Sequence, residues 1–452
     1  MIECMRLIRL WIAEGFIEVR EGRTLEEVAE GYLNDLVNRS LIQVAELTTY
    51  GRVRMCRIHD LIREIFVLKS KEQIAITIGS NTKWPERVRR LSIHNALENV
   101  QQSRSFSQLR SLLMFEVMDP LCKSSMPILF NGCLRLLKVL DLRGTSLETV
   151  PNEVVKLLHL RYLSLRETNV KMLPKSIGNL QKLETLDLKG TYVTELPIEI
   201  QKLQQLRHLL VYHYNTSETY TSFHNTQGFK GPAKIGALLS LQKLCYIEAN
   251  LNIVEELGRL TQLRRLGIEK LTRENGMALC SSIAKLRNLQ SLSITSTEED
   301  EIIDLQSLSS APQFLRSLLL RGRLEQFPCW IPSLHNLDQA YDGEELCFKA
   351  GGFQRLKELS LITLKGLRWV TIEKGTMPRL EEINIWNCKL MEQVPLGIEH
   401  LTNLKYLSLG DMSDKLLMRI DREIGVDYWK IGHIPRVWIA NTQSGCWRGA
   451  YL

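Results

Sequence analysis

Residues 137–142 read LKVLDL, and the chain repeats that phrase at a fixed interval: LRYLSL from Leu160, LETLDL from Leu183 and LRHLLV from Leu206, each 23 residues after the last. Between the phrases run TVPNEVVKLLHL, MLPKSIGNLQKL and ELPIEIQKLQQL, each a Val-Pro or Leu-Pro turn followed by an Ile/Val-rich stretch. In an extended segment successive side chains point to opposite sides, so the fourth and sixth residues of each phrase share a face. One unit cannot bury those leucines alone. Neighbouring units must stack and join their faces into one core, each buried leucine contributing about 1.5–3 kcal/mol.

A phrase L-x-x-L-x-L with a period of about 20–29 residues is the leucine-rich-repeat signature. It recurs outward in both directions. VRRLSI from Val88 and LRSLLM from Leu109 come first. LQKLCY at 241, LRRLGI at 263, LQSLSI at 289, LRSLLL at 315, LKELSL at 356, LEEINI at 380 and LKYLSL at 404 follow, with a degraded LDQAYD at 337. The longest step, 206 to 241, holds YHYNTSETYTSFHNTQGFKGP, read as a polar surface loop. Eight residues after the first Leu stand Thr145, Thr168 and Thr191, and Cys388 in a late unit. A hydroxyl there can bond backbone groups at the turn leaving the strand, while Leu147, Val170 and Val193 close the core. The stretch KLLMRIDREIGVDYWKIGHIPRVWI reads as a C-terminal cap, which places the repeat domain at 88–439 and an irregular tail at 440–452.

Residues 1–70 do not repeat. Leu7, Leu10 and Trp11 at helical spacing predict an amphipathic helix ending near Gly15. Thr24-Leu25-Glu26-Glu27 is a capping box for a second helix burying Val28, Leu33, Leu36 and Val37. LIQVAEL and RVRMCRI flank Thr-Thr-Tyr-Gly, a hairpin turning at Gly51, and a further helix starts near Asp60. Helix, helix, hairpin, helix is the outline of a winged helix, with 71–87 as connector. The expected fold is an α/β leucine-rich-repeat solenoid, a horseshoe, preceded by this small domain.

With 44% hydrophobic and 24% charged residues the 452-residue chain has a soluble globular balance. No apolar run approaches the ~18 residues that span a bilayer, and the N-terminus carries no secretory signal. Ten cysteines lie scattered, with no C-x-x-C and no zinc-ligand spacing, so no metal site is expected and free thiols in a reducing cytoplasm are. G-x-S-x-G, H-E-x-x-H and clustered Cys/His pairs are missing, so no catalytic residue is assigned. The net charge of +7 suits an acidic protein surface or anionic lipid and is too weak to argue nucleic-acid binding.

Binding is expected on solvent-facing strand positions. The residue just after each phrase is Arg143, Arg166, Lys189, then Tyr212. Adjacent strands lie about 4.8 Å apart, so these cations repel unless an acid faces them. Asp141 and Asp187 lie on the same face, with Lys138, Arg161 and Arg207 nearby. Two readings stay open: a patch that docks an acidic surface, within the chain's own full-length protein or on a partner, or a solvated face balanced by Asp. Trp386 holds the equivalent position late in the array, and Tyr162 and Tyr406 are also expected to face out.

With both parts in view, the chain resembles the C-terminal portion of a plant coiled-coil-type NB-LRR disease-resistance protein. RLIRLWIAEGFI at 6–17 is similar to that family's motif in the second ARC subdomain, and Ile58-His59-Asp60 stands where the family has Met-His-Asp. The LP-x-x-I-x-x-L turns and DYWKIGHIPRVWI at 427–439 match its repeats and their end. The resemblance implies an NB-ARC module that holds ADP at rest, exchanges it for ATP with Mg, and then oligomerises to trigger immune cell death. It implies repeats that sense a pathogen effector or a guarded host protein and restrain the own or cognate NB-ARC module. His59 would contact the ADP phosphate, supported by Ile58 and Asp60; read from the residues alone, His59 and Asp60 merely start a helix. No G-x-x-x-x-G-K-[ST] occurs; Gly231 to Gly236 comes nearest and is followed by Ala237. With no coiled coil ahead of residue 1 either, the expectation is a fragment, a truncated gene model or a degenerate paralogue that binds neither nucleotide tightly. Its expected location is cytoplasmic, with peripheral association at the plasma membrane. A free-standing repeat adaptor is the alternative, and nucleic-acid binding through the winged helix rests on fold analogy alone.

Overall fold

The computed structural model describes residues 1–47, 53–60, 62–65, 74–78, 88–94, 106–115, 134–214, 226–298, 301–322, 345–443 and 446–452, apart from positions 306, 309–311, 349, 352 and 365. The chain forms two compact units, Met1–His213 and Tyr214–Leu452.

The first unit opens with β1 (Ile2–Glu3), α1 (Cys4–Glu14), α2 (Leu25–Asn38), β2 (Ile42–Leu47) and β3 (Val53–Ile58). α1 stops at Gly15, whose φ of 86° is left-handed and whose amide donates to the carbonyls of Trp11 and Ile12 at 3.1 and 3.0 Å. Glycine takes that conformation without a Cβ clash. At α2 the capping box is closed from both sides: the Glu27 amide donates to Thr24 Oγ1 at 3.3 Å, and the Thr24 amide to Glu27 Oε2 at 2.9 Å. The predicted hairpin is β2 with β3; its tip at Gly51 lies outside the described residues. β1 was not expected. It pairs antiparallel with β3, giving the order β1-β3-β2. Cys4, Ile8, Ile12, Val28, Leu33 and Cys56 form the core, whereas Leu7, Leu10, Trp11, Leu36 and Val37 are only half-buried. The helical spacing was right but the buried face of α1 is rotated from the predicted one, because this helix is covered on two sides.

The same unit carries β4 (Ile74–Ile78), β5 (Arg90–His94), β6 (Ser111–Phe115), β7 (Val139–Asp141), β8 (Tyr162–Ser164), β9 (Thr185–Asp187) and β10 (His208–Leu210), each parallel to the next. β4 falls inside the stretch 71–87 expected as a connector, so the sheet starts one strand earlier than the phrase pattern announces. Leu140, Leu163, Leu186 and Leu209 stand in register and are fully buried. The Leu-Pro turns become one-turn 3-10 helices at Val154–Lys156, Lys175–Asn179 and Ile198–Lys202, which bury Val154, Ile177 and Ile200. Thr145, Thr168 and Thr191 donate their hydroxyls to the carbonyls of Leu142, Leu165 and Leu188 at 2.8, 2.7 and 2.7 Å. Thr168→Val should therefore cost about 1 kcal/mol, since the Leu165 carbonyl keeps the Thr168 amide as a partner. A lower urea midpoint at unchanged slope is the expected result; an unchanged midpoint would leave the hydroxyl without a structural part.

The second unit continues the pattern on its own account. Parallel strands run at Lys243–Glu248, Arg265–Leu271, Ser291–Ser296, Ser317–Arg321, Glu358–Ile362, Glu382–Trp386, Tyr406–Gly410 and Arg436–Gln443. Two more, Glu345–Phe348 and Trp369–Ile372, pair with each other in the return segments, which no phrase announced. The phrase at 337 lies outside the described residues, as does most of the loop after 214. The expected irregular tail is corrected: Cys446–Tyr451 folds back antiparallel on Arg436–Gln443, and the Trp438 and Tyr451 rings meet edge-on at 4.9 Å. Alternating aromatics too few for a recognisable pattern explain the omission. Cys388 is fully buried with Sγ 3.5 Å from the Trp386 carbonyl, and burial pushes its thiol up to about 12.

Candidate functional site: a charged face between the winged helix and the first repeats

Positions 139 and 141 point away from the leucine core and should be wet. Val139 and Asp141 are instead 1% and 0% exposed. α1 lies over them. Ala13 packs with Val139 and Tyr162 in a small apolar cluster edged by Leu10 and Leu113. Ion pairs surround it. Arg6 Nε and Nη2 both donate to Asp141 Oδ2, at 3.0 and 2.6 Å. Glu14 takes Arg90 Nε at 3.1 Å and the Ser111 hydroxyl. Glu3 takes Arg166 Nη1 at 3.0 Å, and Glu26 takes Arg207 Nη2 at 2.5 Å with His208 Nε2 at 3.3 Å. Every one of these pairs joins a residue of the winged helix to a repeat.

The electrostatics follow from burial and partners. Burial works against the Arg6 guanidinium, but Asp141 more than offsets it and its pKa rises. Burial also works against the Glu3 carboxylate, yet Lys189, Arg9 and Arg166 hold it at about 2. Its stabilising share is thus full above the ordinary 4.5 and is lost as pH falls through about 2. Arg9 is 2% exposed and lies 3.9 Å from Glu3. Its Nε and Nη2, like Asp187 Oδ2, find no hydrogen bond among the described residues. Such atoms weaken an interface that the other pairs hold.

The predicted basic row separates into different fates. Arg166 reaches Glu3 and also Glu167 Oε1 at 3.1 Å. Arg143 turns to Glu167, with Nε 2.9 Å from Oε2. Lys189 is buried, its amide donating to Asp187 Oδ1 at 3.2 Å and its ammonium 5.6 Å above the Tyr212 ring. Burial pulls the Lys189 amine down, Asp187 and Glu3 countering it and Arg9 and Arg166 adding to it. Glu167, Glu3 and Asp187 face the row, whereas Asp141 is taken by Arg6. Tyr162, expected to face out, is fully buried beneath α1. Sequence reasoning missed Glu3, Arg6, Glu14 and Glu26. One signal was available: Arg6, Arg9 and Ala13 form a stripe on α1 distinct from Cys4, Ile8 and Ile12.

Residues 1–66 match the family model of the winged-helix domain of disease-resistance proteins, and residues 108–341 match that of a leucine-rich-repeat region. The chain is 34% identical to the disease resistance protein RPM1 of Arabidopsis thaliana over 96% of its own length. The chain belongs to the leucine-rich-repeat proteins of plant disease resistance. A second member from Arabidopsis thaliana, a probable disease resistance RPP8-like protein 2, is 30% identical over 97% of this chain. The chain spans about half the length of these disease-resistance relatives, 50% and 52%. An internalin of Listeria monocytogenes aligns with 73% of this chain and 85% of its own at 18% identity, with a TM-score of 0.47.

In this disease-resistance chain His59 is half-buried ahead of a helix that begins at Asp60, and the Arg63 amide donates to its carbonyl at 2.9 Å. Ile58 ends β3 and is 44% exposed, and Asp60 is exposed. Trp386 is half-buried and donates Nε1 to Ser408 Oγ at 2.8 Å; Tyr406 is half-buried with Arg436 5.6 Å from its ring. Among the described residues no three His, Cys, Asp or Glu could hold a metal, no helix is long and apolar enough to cross a membrane, and the cysteines are free.

Proposed function

We propose that the chain is the sensing and restraining part of an immune receptor. The first repeats hold the winged helix, and with it the NB-ARC module to which such a helix belongs. The later repeats recognise a pathogen effector or a guarded host protein through strand positions such as Trp386. The observation that carries this reading is the buried Arg6–Asp141 pair, flanked by Glu3, Glu14 and Glu26 of the winged helix, which pair with Arg166, Arg90 and Arg207 on different repeats. The work is recognition rather than catalysis, carried out in the cytoplasm or peripherally at the plasma membrane. His59, with Ile58 and Asp60 supporting it, is the contact to the phosphate of an ADP bound mainly by the rest of the NB-ARC module, while the restraint acts through the ion pairs and the small apolar cluster under α1.

Arg166→Glu tests the restraint, with Arg143→Glu as its control. Arg166 reaches Glu3 across the face whereas Arg143 pairs within the repeats. Hydrogen exchange of α1 amides should rise at least about ten-fold in Arg166→Glu and little in Arg143→Glu. Equal protection in both variants and the parent chain would leave the face without a restraining part.

A further inference from the structure

The strand Cys446–Tyr451 is the outermost of its sheet among the described residues, with Arg436–Gln443 beside it. The two pair in unbroken antiparallel register, from Trp438 opposite Tyr451 to Gln443 opposite Cys446. The same register sets Leu452 opposite Val437, and the Leu452 amide donates to the Val437 carbonyl at 2.9 Å. Bonded and non-bonded pairs alternate along an antiparallel ladder. The backbone groups of 446, 448 and 450 therefore point to Arg436–Gln443, and those of 447, 449 and 451 point away from it. The Ala440 carbonyl agrees: it accepts from the Asp411 amide at 2.9 Å, on the side away from Gly449. The amides and carbonyls of 447, 449 and 451 thus form an open edge among the described residues. The strand carries few of the usual guards of such an edge: it has no proline, no shift of register and one charge, Arg448. Arg448, Gly449 and Ala450 are exposed, and Tyr451 is 60% exposed. Gly449 keeps the middle of the strand flat, because a Cβ there would strike the Trp438 ring.

We propose that this edge pairs with the same strand of a second copy of the chain, antiparallel across a two-fold axis at Gly449. The self-complementarity of the strand decides the occupant. With 449 opposite itself, 447 stands opposite 451, and the three open positions of each copy meet in about six hydrogen bonds. Arg448 then stands opposite Ala450 of the second copy, so the one charge on the strand faces a small neutral residue. An axis at 448 or 450 brings backbone groups together that are already used within each chain, and at 448 it sets arginine on arginine. An axis at 447 or 451 shortens the overlap. A foreign extended segment would meet the same backbone groups without this match of charge and overlap. The contact is isologous and closes on itself, so it stops at two copies. One short strand on another is small against the roughly 1,200 Å² of lasting complexes, which sets the expected Kd at about 10–100 µM. Such a pair joins copies that are already concentrated. The edge lies in the second unit, and the proposal does not rest on the restraint exerted by the first repeats.

The test follows the whole chain by sedimentation velocity from about 1 to 200 µM, with amide exchange read at single residues. The chain should pass from monomer to dimer over that range. The amides of 447, 449 and 451 should gain protection with concentration, while those of 446, 448 and 450 stay protected throughout. Ala450→Lys, at an exposed position, sets lysine against Arg448 of the second copy on both sides of the axis, and should weaken the dimer at least about five-fold. Adding Arg448→Glu turns both contacts into opposite charges and should bring the affinity back to within about two-fold of the parent chain. That recovery also shows that the strand is still folded in the single variant. A chain still monomeric at about 200 µM overturns the proposal. So does a dimer indifferent to Ala450→Lys, or one that the added Arg448→Glu fails to restore. Protection of 447, 449 and 451 that appears only with an added extended peptide overturns it as well, and assigns the edge to a foreign strand.

Discussion

Arg6→Ala is expected to cost about 3–5 kcal/mol of the free energy that holds α1 on the repeats, the largest effect of any single substitution on this face. The size comes from what is left behind. Asp141 is fully buried, and the substitution removes both guanidinium hydrogen bonds from its Oδ2. Its remaining bond, from the Arg143 amide at 3.2 Å, satisfies the other oxygen. Domains of this kind are stable by about 5–15 kcal/mol, so such a loss is visible as detachment and not only as a lower midpoint. Asp141→Ala should cost a similar amount, and the double variant much less than the sum. Exchange of strand amides at 139–141 and of α1 measures all three. Additive costs would show that Arg6 and Asp141 act independently, and that the pair is not what fastens the helix. Replacing both with apolar residues of like volume should come close to neutral, because a buried pair mainly offsets its own desolvation.

The second large effect lies in the second unit and is a matter of pH. Glu269 is 6% exposed, and burial lifts its carboxyl to about 7 despite Arg321 and a hydrogen bond from Thr295 Oγ1 at 3.3 Å. Burial lowers Arg321 as well, so for both partners desolvation exceeds attraction. With a pKa raised from 4.5, the native state binds more protons than the unfolded one between those values. Stability from this group is therefore full below about 4.5 and lost as pH rises through about 7. The loss is on the order of 3 kcal/mol. Strand Arg265–Leu271 should be better protected from exchange at pH 5.5 than at pH 8, after correction for intrinsic rates. Glu269→Gln should flatten that difference; an undiminished pH dependence in the variant would point to another group.

The solenoid was legible because its phrase is long and its period regular, and because three buried leucines in a phrase, such as Leu137, Leu140 and Leu142, leave no alternative register. The capping box at Thr24 and the glycine stop at Gly15 were legible for the same reason: each is a local device with a short sequence requirement. β1, β4 and the closing hairpin were not, since each is a short strand whose partner lies far along the chain and whose own residues carry no periodic mark. The binding face was half legible. The row Arg143, Arg166, Lys189 announced a need for acid, but only the fold could say that Glu3 answers Arg166 while Glu167 answers Arg143. Tyr162 could not have been placed, because the cover over it comes from residues more than a hundred positions earlier.

α1 has two faces, and they age differently when the helix moves. The inner stripe of Cys4, Ile8 and Ile12 is wholly apolar and belongs to the winged helix for good. The outer stripe carries Arg6, Arg9 and Ala13, with Arg6 on Asp141 of the repeats and Arg9 3.9 Å from Glu3 of its own domain. Parting the two surfaces would return these charges to water while also wetting the small apolar patch of Val139, Tyr162 and Leu113 that Leu10 and Ala13 cover. The helix is thus fastened on one side by apolar packing within its own domain and on the other mainly by charges that water can take up.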